Sequence, residues 1–210
     1  MPASSANSED TLSRFLKEID WFEVQKLSFE HDFSGFNCGG GKEDNELDSF
    51  LKENALSEQG ENANVTYAAV LKGAKIVIGY VTILNDKLRV STKEKKDMRI
   101  ASGYHDFPAI KIGRLAVDKR HVGKKVATTL LQGIIGLALE TAEKTGCRFL
   151  IVDSYPKSVD WYLKKSFVKN LIQGQRKTKV IKENSDGSIT TDSDYQRETV
   201  SLRFDLLNPK

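Results

Sequence analysis

The stretch KIGRLAVDKRHVGKKVATTLL, residues 111–131, decides the fold. It begins as a strand whose apolar residues change parity: Ile110 and Ile112 fall on one side, and Leu115 and Val117 fall on the other. Because side chains alternate with a period of two in a strand, this change of phase needs one extra residue. We therefore predict a β-bulge at the Gly-Arg pair between them, and bulges are common beside active sites.

A helix is predicted to follow the strand, which Asp118 ends. Apolar residues recur there at helical spacing, at Val126, Leu130, Ile134, Leu137 and Ala138. Gly146 is a suitable residue to end this helix, because glycine readily adopts the left-handed conformation of a C-cap. The buried apolar run CRFLIV, residues 147–152, then predicts a second strand, parallel to the first in a right-handed crossover.

The turn between strand and helix is basic. A helix N-terminus leaves N–H groups without partners and carries partial positive charge. Gly123 lets the backbone approach a ligand, Ala127 leaves room on the first turn, and Lys124 and Lys125 add positive charge. These features predict an anion site, most naturally for phosphate or pyrophosphate. The alternative is an ordinary solvated helix start.

This strand, turn and helix resemble those of the GNAT superfamily of acyl-CoA-dependent N-acetyltransferases, whose pyrophosphate loop commonly reads Gln/Arg-x-x-Gly-x-Gly/Ala. Val122 stands at the Gln/Arg position, Lys125 at the middle glycine and Ala127 at the last position, and Gly123-Lys124 matches a frequent Gly-Lys pair. In place of glycine, Lys125 is expected to adopt ordinary right-handed backbone geometry. The resemblance implies binding of acetyl-CoA by the loop residues Val122, Gly123, Lys124, Lys125, Val126 and Ala127.

Composition is ordinary for a soluble globular protein. The chain has 210 residues, of which 39% are apolar and 29% charged, and its net charge is +3. The two cysteines and three scattered histidines form no metal-ligand pattern, so no metal is expected, and a reduced, cytoplasmic protein is the simplest interpretation. No apolar run approaches the roughly 18 residues that span a bilayer, and the first residues lack a signal-peptide pattern.

The order of predicted elements gives an α+β fold with a mixed, mostly antiparallel sheet flanked by helices, which is also the order of the GNAT fold. Residues 1–20 form an N-terminal extension, partly disordered, and residues 21–207 form one domain with a charged insertion at 85–108 and a long hairpin at 177–198. Helices are predicted at 11–19, 46–55, 126–144 and 158–165. Strands are predicted at 22–29, 65–71, 75–84, 109–118, 147–152, 167–172 and 200–206.

The segment WYLKKSF, residues 161–167, resembles the aromatic-Tyr-x-x-x-Gly-Phe signature that ends many GNAT domains, with Ser166 in place of glycine. The resemblance implies that Tyr162 is the general acid for the departing CoA thiolate. A phenol with an unperturbed pKa of about 10 is protonated at neutral pH and can donate its proton. The alternative is that Trp161 and Tyr162 are packing aromatics of a helix face.

The resemblance also assigns a role to the backbone of the central strand. In the family, N–H groups around the bulge hold the thioester oxygen and the pantetheine arm. The matching positions are Leu115, Ala116 and Val117. An N–H aimed at the carbonyl oxygen stabilises a tetrahedral intermediate. An ordinary core strand remains the alternative.

A third stretch is similar to GNAT-type toxins of bacterial toxin–antitoxin pairs. Residues 36–39 read FNCG, residues 47–51 read LDSFL, and GRLAVD at 113–118 is similar to the central strand of these toxins. The resemblance implies acetylation of the amino group of aminoacyl-tRNA, which stops translation, an antitoxin partner and a possible homodimer. The alternative is that the aromatic-Leu pattern marks only a core-facing helix and the glycines only a turn.

Contacts with an acceptor are harder to predict. The insertion carries cations that would suit the phosphates of an RNA acceptor stem, or that form only a solvated loop: Lys87, Arg89, Lys93, Lys95, Lys96 and Arg99. Of these, Lys95 and Lys96 are the candidate substrate contacts, together with Arg114 beside the thioester, which would otherwise pair with a core carboxylate. A general base is not evident, and His105, Asp118, Asp153 or water remains open.

The leading hypothesis is therefore an N-acetyltransferase in which a primary amine attacks acetyl-CoA directly, and within that class a toxin that acts on aminoacyl-tRNA. A small-molecule or protein amine is the alternative acceptor. A non-catalytic acyl-CoA-binding or protein-interaction module is the alternative of another class, favoured by Val122 and Lys125 and disfavoured by Tyr162.

Overall fold

The computed structural model describes residues 19–172, 179–183, 189–192 and 199–208. The helix predicted at 11–19 lies outside these residues apart from its last position, and so does the turn predicted within the hairpin at 177–198. The family resemblance and the sheet both fall within the described part of the chain.

Among the described residues the predicted strands and helices follow one another in the predicted order, and one short helix that was not predicted lies in the insertion. The strands are β1 Phe22–Lys26, β2 Val65–Leu71, β3 Val77–Arg89, β4 Asp106–Val117, β5 Phe149–Ser154, β6 Val168–Lys169, β7 Lys179–Glu183, β8 Ile189–Asp192 and β9 Val200–Asp205. The helices are α1 Lys42–Ser49, α2 Ala55–Gly60, α3 Thr92–Asp97, α4 Val126–Thr145 and α5 Pro156–Leu163. A π-helical turn, Phe50–Asn54, joins α1 to α2.

Seven of the strands form one mixed sheet in the order β1-β2-β3-β4-β5-β9-β6. The pair β4 and β5, which α4 connects, is parallel, whereas the other neighbouring pairs are antiparallel. The predicted α+β architecture with a mostly antiparallel sheet is confirmed. Strands β7 and β8 pair antiparallel as a separate ribbon, as expected for the C-terminal hairpin.

The predicted bulge is present in β4. Arg114 pairs with Thr82 and Ile112 pairs with Ile83, so Gly113 is the extra residue between them. Pairing between β4 and β5 extends only as far as Ile112 and Val152. Beyond the bulge, β4 continues beside β3 alone, and the two central strands are separated at this end of the sheet.

Several element boundaries differ from the predictions. Strand β3 continues to Arg89 and β4 begins at Asp106, so a paired ribbon occupies much of the region predicted as an excursion between strands. Its charges face outward, where Asp106 forms ion pairs of 3.2 Å with Lys87 and 3.5 Å with Arg89, so they do not prevent pairing. The helix predicted at 46–55 is part of a longer helical segment that spans α1, the π-helical turn and α2, and the strand predicted at 167–172 is limited to Val168–Lys169.

The insertion covers part of the sheet. Residues from α3 and its flanks pack on a small core around Val90, Phe149 and Ile151. Glu94 of α3 accepts a hydrogen bond from Arg203 of β9 at 2.7 Å, and only 4% and 9% of these side chains are exposed. Glu94 also accepts from the N–H of Leu171 at 2.8 Å. A buried and fully hydrogen-bonded carboxylate therefore attaches the insertion to the far edge of the sheet.

Candidate active site

The separation of β4 from β5 opens a cleft of about 220 Å³. One wall is the end of β4 beyond the bulge, and the opposite wall is the end of β5 with the first turns of α5. The loop and helix α1 that follow β1 close it from the side. The cleft brings together the sequence-predicted residues Arg114, Leu115, Ala116, Val117, Val122 and Tyr162.

Tyr162 is held in the cleft wall by aromatic packing. Its ring lies edge-on to Trp161 at 4.9 Å and to Phe167 at 5.2 Å between ring centroids. The side chain is 5% exposed, and burial raises the pKa of its phenol well above the ordinary value of 10. The hydroxyl therefore carries its proton at neutral pH, as a general acid requires. Packing and a chemical role are compatible here, because the ring is buried while the residue borders the cleft.

The β4 backbone faces the cleft where it lacks β5 as a partner. Leu115, Ala116 and Val117 pair with Val81, Tyr80 and Gly79 of β3 on one side. On the other side they line the cleft. Backbone groups on that side are therefore available to a ligand, which is the arrangement needed to hold an extended amide arm and a carbonyl oxygen.

A groove of about 380 Å³ continues from the cleft to the basic turn. The two cavities share Val117 and Val122. The groove also brings together the predicted loop residues Gly123, Lys125, Val126 and Ala127 with the indole of Trp161. Lys124 does not line it, and its ammonium lies 6.0 Å from the ring of Trp21.

The conformation of Lys125 corrects the sequence-based expectation. Its φ of 65° and ψ of 7° are left-handed, although ordinary right-handed geometry was expected. Lys125 directly precedes α4 and thus adopts the backbone that the family places on a glycine. For a residue with a Cβ this costs about 1–2 kcal/mol, which the packing of α4 must offset. Gly123, at φ 82°, is the other left-handed position of the loop.

Gly79 allows α4 to approach the sheet, and sequence reasoning did not identify it. A Cβ at this position would lie 2.7 Å from a methyl carbon of Val126 and 3.2 Å from the carbonyl oxygen of Ala116. Any larger residue would push the first turn of α4 away from β3. The glycine thus positions the helix N-terminus at the end of the cleft.

Asp118 joins the basic turn to the segment that precedes α1. Its carboxylate accepts hydrogen bonds from Nε of Arg120 at 2.8 Å and from the backbone N–H of Asn37 at 3.1 Å. Burial by itself would raise the pKa of this fully buried carboxyl group, but the hydrogen bonds outweigh it and lower the pKa to about 2. Asp118 does not border the cleft, so the structure gives it a positioning role in place of the general-base role considered from sequence.

The FNCG and LDSFL stretches form the side wall of the cleft. Asp48 accepts from the N–H of Cys38 at 3.0 Å, and the hydroxyl of Tyr80 donates to the carbonyl of Leu47 at 2.8 Å. Burial, followed by the neighbouring Asp48, raises the pKa of the Cys38 thiol to about 12. Cys38 is therefore an unreactive thiol at neutral pH, although it lines the cleft.

A second cavity of about 280 Å³ lies on the other side of Arg114 and Leu47, which border both spaces. The guanidinium carbon of Arg114 is 3.5 Å from the centroid of the Phe50 ring. A cation on an aromatic face is fixed in orientation and is attracted by the ring quadrupole. Arg114 therefore stacks on Phe50 between two cavities.

The remaining candidates are not all brought to the cleft. Lys95 donates to the carbonyl oxygen of Ser102, and Lys95 and Lys96 lie in α3 at the opposite end of β4, roughly 30 Å away at the usual rise per strand residue. His105 lies at the same end, with Nδ1 2.8 Å from the carbonyl oxygen of Val90. Asp153 does line the cleft and is paired with Lys111 at 2.6 Å.

Two further residues of the cleft region escaped the sequence analysis. Tyr155 follows β5 and lines the cleft, and its hydroxyl is 3.1 Å from a carboxylate oxygen of Glu46 in α1. The only available signal was the position of Tyr155 at the carboxyl end of a buried strand, where ligands often bind. Trp161 had been considered only as a packing residue.

No group of three or more potential metal-ligating side chains occurs among residues 19–172 or the other described segments. None of the helices in the described part of the chain is long and apolar enough to cross a membrane.

Solved structures of bacterial toxins share this fold. A tyrosine-to-phenylalanine mutant of KacT superposes with a TM-score of 0.68 at 18% identity, covering 90% of this chain and 96% of that one. AtaT complexed with acetyl-methionyl-tRNAfMet gives 0.65 at 19% identity, covering 73% and 90%. A mutant AtaT bound to acetyl-CoA and the C-terminus of the antitoxin AtaR gives 0.63 at 17% identity, covering 90% and 95%. At these identities the likeness establishes the GNAT fold.

The match to a family model is stronger evidence for the family than the likeness to these solved structures. The model described as "Acetyltransferase (GNAT) family" matches residues 32–167, which is well over half of the chain and includes the cleft, the basic turn and Tyr162. The match excludes the alternative of a non-catalytic acyl-CoA-binding or protein-interaction module. Acetyl-CoA is the co-substrate. The chain belongs to the GNAT family of acetyltransferases.

Proposed function

We propose that this acetyltransferase transfers the acetyl group of acetyl-CoA to the amino group of aminoacyl-tRNA in the cytoplasm, and so stops translation as a toxin restrained by an antitoxin. The observation that carries the proposal is the side wall of the cleft. There the FNCG and LDSFL stretches, which resemble those of GNAT-type toxins, are joined by the hydrogen bond from Cys38 to Asp48. The structural likeness to AtaT and KacT supports the same acceptor class.

The proposed reaction is a direct transfer along the cleft. The pyrophosphate of acetyl-CoA lies on the Gly123 turn, and its pantetheine arm follows β4 into the cleft. The acceptor amine attacks the thioester carbon while N–H groups around Leu115 hold the developing oxyanion. The C–S bond then breaks, and the Tyr162 phenol donates its proton to the leaving thiolate.

Acetylation of a small or protein amine is the second candidate. It is favoured by the acidic character of α1, of which Asp44 lines the cleft and Glu46 lines the adjoining cavity. Such a surface attracts an ammonium group and repels the phosphates of RNA. The amino group of an aminoacyl ester satisfies the first condition, and the tRNA phosphates must then be contacted from another surface.

Cell-free translation distinguishes the two acceptors. Purified protein should halt protein synthesis only when acetyl-CoA is added, and radioactive acetyl groups should be recovered on aminoacyl-tRNA. Tyr162→Phe is the matched control, because it keeps the ring and should lose the effect. If translation continues while the enzyme still acetylates amines such as lysine peptides, the tRNA proposal is contradicted and the second candidate stands.

The insertion provides a separate test of RNA contact. Each lost phosphate contact should reduce the salt dependence of RNA binding by about one unit of slope. Since Lys95 and Lys96 lie at the far end of β4, we expect their joint change to alanine to leave this slope unchanged. A clear decrease would place the insertion on the RNA after all.

A further inference from the structure

The second cavity lies where α1 and the π-helical turn after it meet β4. This cavity is lined by Glu46, Leu47, Ser49, Phe50, Asn54 and Arg114. It adjoins the cleft through Leu47 and Arg114, so a molecule in the cavity can reach the cleft at the bulge of β4. The cavity is therefore on the side of the thioester opposite the groove of the basic turn.

A π-helical turn forms one side of this cavity. Phe50 and Asn54 are its first and last residues, and it interrupts what would otherwise be one continuous α-helix from α1 to α2. π-Helical turns inside α-helices occur frequently at functional sites, because they displace side chains from regular helical positions. Here the turn lies where Phe50 supports Arg114 at 3.5 Å.

Glu46 provides the carboxylate that lines the cavity, and it is hydrogen-bonded to a residue on the opposite wall of the cleft. The hydroxyl of Tyr155, which lines the cleft, is 3.1 Å from Glu46 although the two residues are 109 positions apart in the chain. A phenol that donates to a carboxylate fixes its orientation. A half-buried carboxylate with such support is suited to an ammonium group.

From this geometry we infer that the acceptor amine binds in the cavity beside the π-helical turn, that Glu46 contacts its ammonium group and accepts its proton, and that Tyr155 orients Glu46. The inference rests on the proposed acetyl transfer to an amine and adds the missing proton acceptor. It applies to an aminoacyl ester and to a small amine alike, since both present a primary ammonium.

Protons balance in the resulting sequence. The ammonium gives one proton to Glu46, and the free amine forms a C–N bond with the thioester carbon. The C–S bond breaks, the thiolate takes the phenolic proton of Tyr162, and the amide nitrogen releases its second proton to solvent. Glu46 then releases its proton and the Tyr162 phenolate regains one, both through solvent, so the enzyme returns to its starting state. The net change is ammonium plus acetyl-CoA giving N-acetyl amide, CoA thiol and one proton.

Other ionisable groups surround Glu46 and share its field. Those that line the cleft or the cavity are Cys38 in the preceding loop, Asp44 in α1, Arg114 in β4, and Asp153, Tyr155, Lys157 and Tyr162 from β5 and α5. Lys157 is paired with Asp44 at 2.7 Å and with Glu43 at 3.1 Å. These charges persist when only Glu46 is changed, so a pH effect of that change belongs to Glu46.

The test is Glu46→Gln, assayed with radioactive acetyl-CoA and total charged tRNA, and in parallel with a lysine peptide. We expect kcat/KM at pH 6.5 to fall about 10²-fold, the usual contribution of a positioned base. With charged tRNA the deficit should shrink by pH 8.5, because an α-amino group with a pKa of about 8 then loses its proton without help. With the lysine side chain, whose pKa is about 10.4, the deficit should persist at pH 8.5. Tyr155→Phe should show a smaller deficit with the same pH trend.

Glu53→Gln is the matched control, because Glu53 is an exposed carboxylate of the same π-helical turn that does not line the cavity. It should keep wild-type rates, and all variants should keep wild-type acetyl-CoA affinity in calorimetry. With charged tRNA, a deficit in Glu46→Gln that is equal at both pH values overturns the inference while acetyl transfer by the wild type stands. So does the absence of a deficit with the acceptor that the wild type acetylates. A wild-type enzyme that acetylates neither acceptor overturns the proposed function and the inference with it.

Discussion

The two halves of β4 differ in what they do. The first half is paired to β3 and, over Ala109–Ile112, to β5, and the insertion that packs beside it is attached to β9 by the buried Glu94–Arg203 pair. The second half, beyond Gly113, is paired only to β3 and lines the cleft. One bulged residue thus separates a structural segment from a ligand-binding segment in the same strand. Changes in the first half should therefore affect stability, and changes around the second should affect acetyl-CoA and turnover.

The largest effect is expected at the buried pair that attaches the insertion to β9. Glu94→Ala leaves the Arg203 guanidinium buried without its carboxylate, and removal of one partner of such a pair costs roughly 3–5 kcal/mol of unfolding free energy. Chemical denaturation measures this loss. Adding Arg203→Met should recover most of it, because the unpaired charge is then removed as well.

An ion pair of the same length on the surface is the control. Lys75 and Glu30 are also 2.7 Å apart, but 64% and 74% of their side chains are exposed. Glu30→Gln should change the unfolding free energy little, since water already solvates both charges. Equal losses at Glu94 and Glu30 would contradict the structural role of the buried pair between the insertion and β9.

The next largest effect is expected at the basic turn that follows the second half of β4. Gly123→Asp places a carboxylate beside the proposed pyrophosphate and closes the backbone approach, so acetyl-CoA affinity should fall by at least about 10²-fold, or roughly 3 kcal/mol. Isothermal calorimetry measures the affinity. Gly73→Asp is matched to it, because Gly73 also has a positive φ, 78° against 82°, and open space around its Cβ position.

The control variant carries the same backbone strain in the turn between β2 and β3, so both proteins should lose similar stability. Only Gly123→Asp should lose acetyl-CoA. A folded Gly123→Asp protein with wild-type affinity would remove the basic turn from the cofactor site.

A smaller effect is expected at Asp118, which joins the turn to the side wall of the cleft. Its folded-state pKa of about 2 lies below the unfolded value, so its contribution is complete above about pH 4 and is lost as pH falls toward 2. The shift corresponds to roughly 2 kcal/mol. Unfolding free energies of wild type should therefore decline over this window more steeply than those of Asp118→Asn, and parallel curves would show that the carboxylate is not held in this way.

Local patterns in the sequence were enough to predict the second half of β4. The phase change gave the bulge, helical spacing gave the start of α4, and the aromatic signature led to Tyr162. The conformation of Lys125 was predicted wrongly, because intrinsic preference disfavours a left-handed lysine and the packing of α4 against Gly79 overrides that preference.

Contacts between distant parts of the chain could not be predicted. Glu94 meets Arg203, and Glu46 meets Tyr155, across 109 residues in each case. Neither the periodicity of apolar residues nor the propensity of single residues predicts such a pairing, because the pairing depends on the final order of strands. For the same reason the charged ends of β3 and β4 were taken for an excursion, although outward-facing charges are compatible with a paired ribbon.

The most direct test of the central claim, that the open half of β4 and α5 form a catalytic cleft, is the turnover of Tyr162→Phe. The change removes only the hydroxyl and keeps the ring that packs on Trp161 and Phe167, so stability and acetyl-CoA affinity should stay close to wild type. In a thiol-release assay kcat should fall by about 10²-fold or more with KM nearly unchanged, as expected when an acid acts only in the transition state. A phenylalanine enzyme that releases CoA thiol at the wild-type rate would contradict the claim.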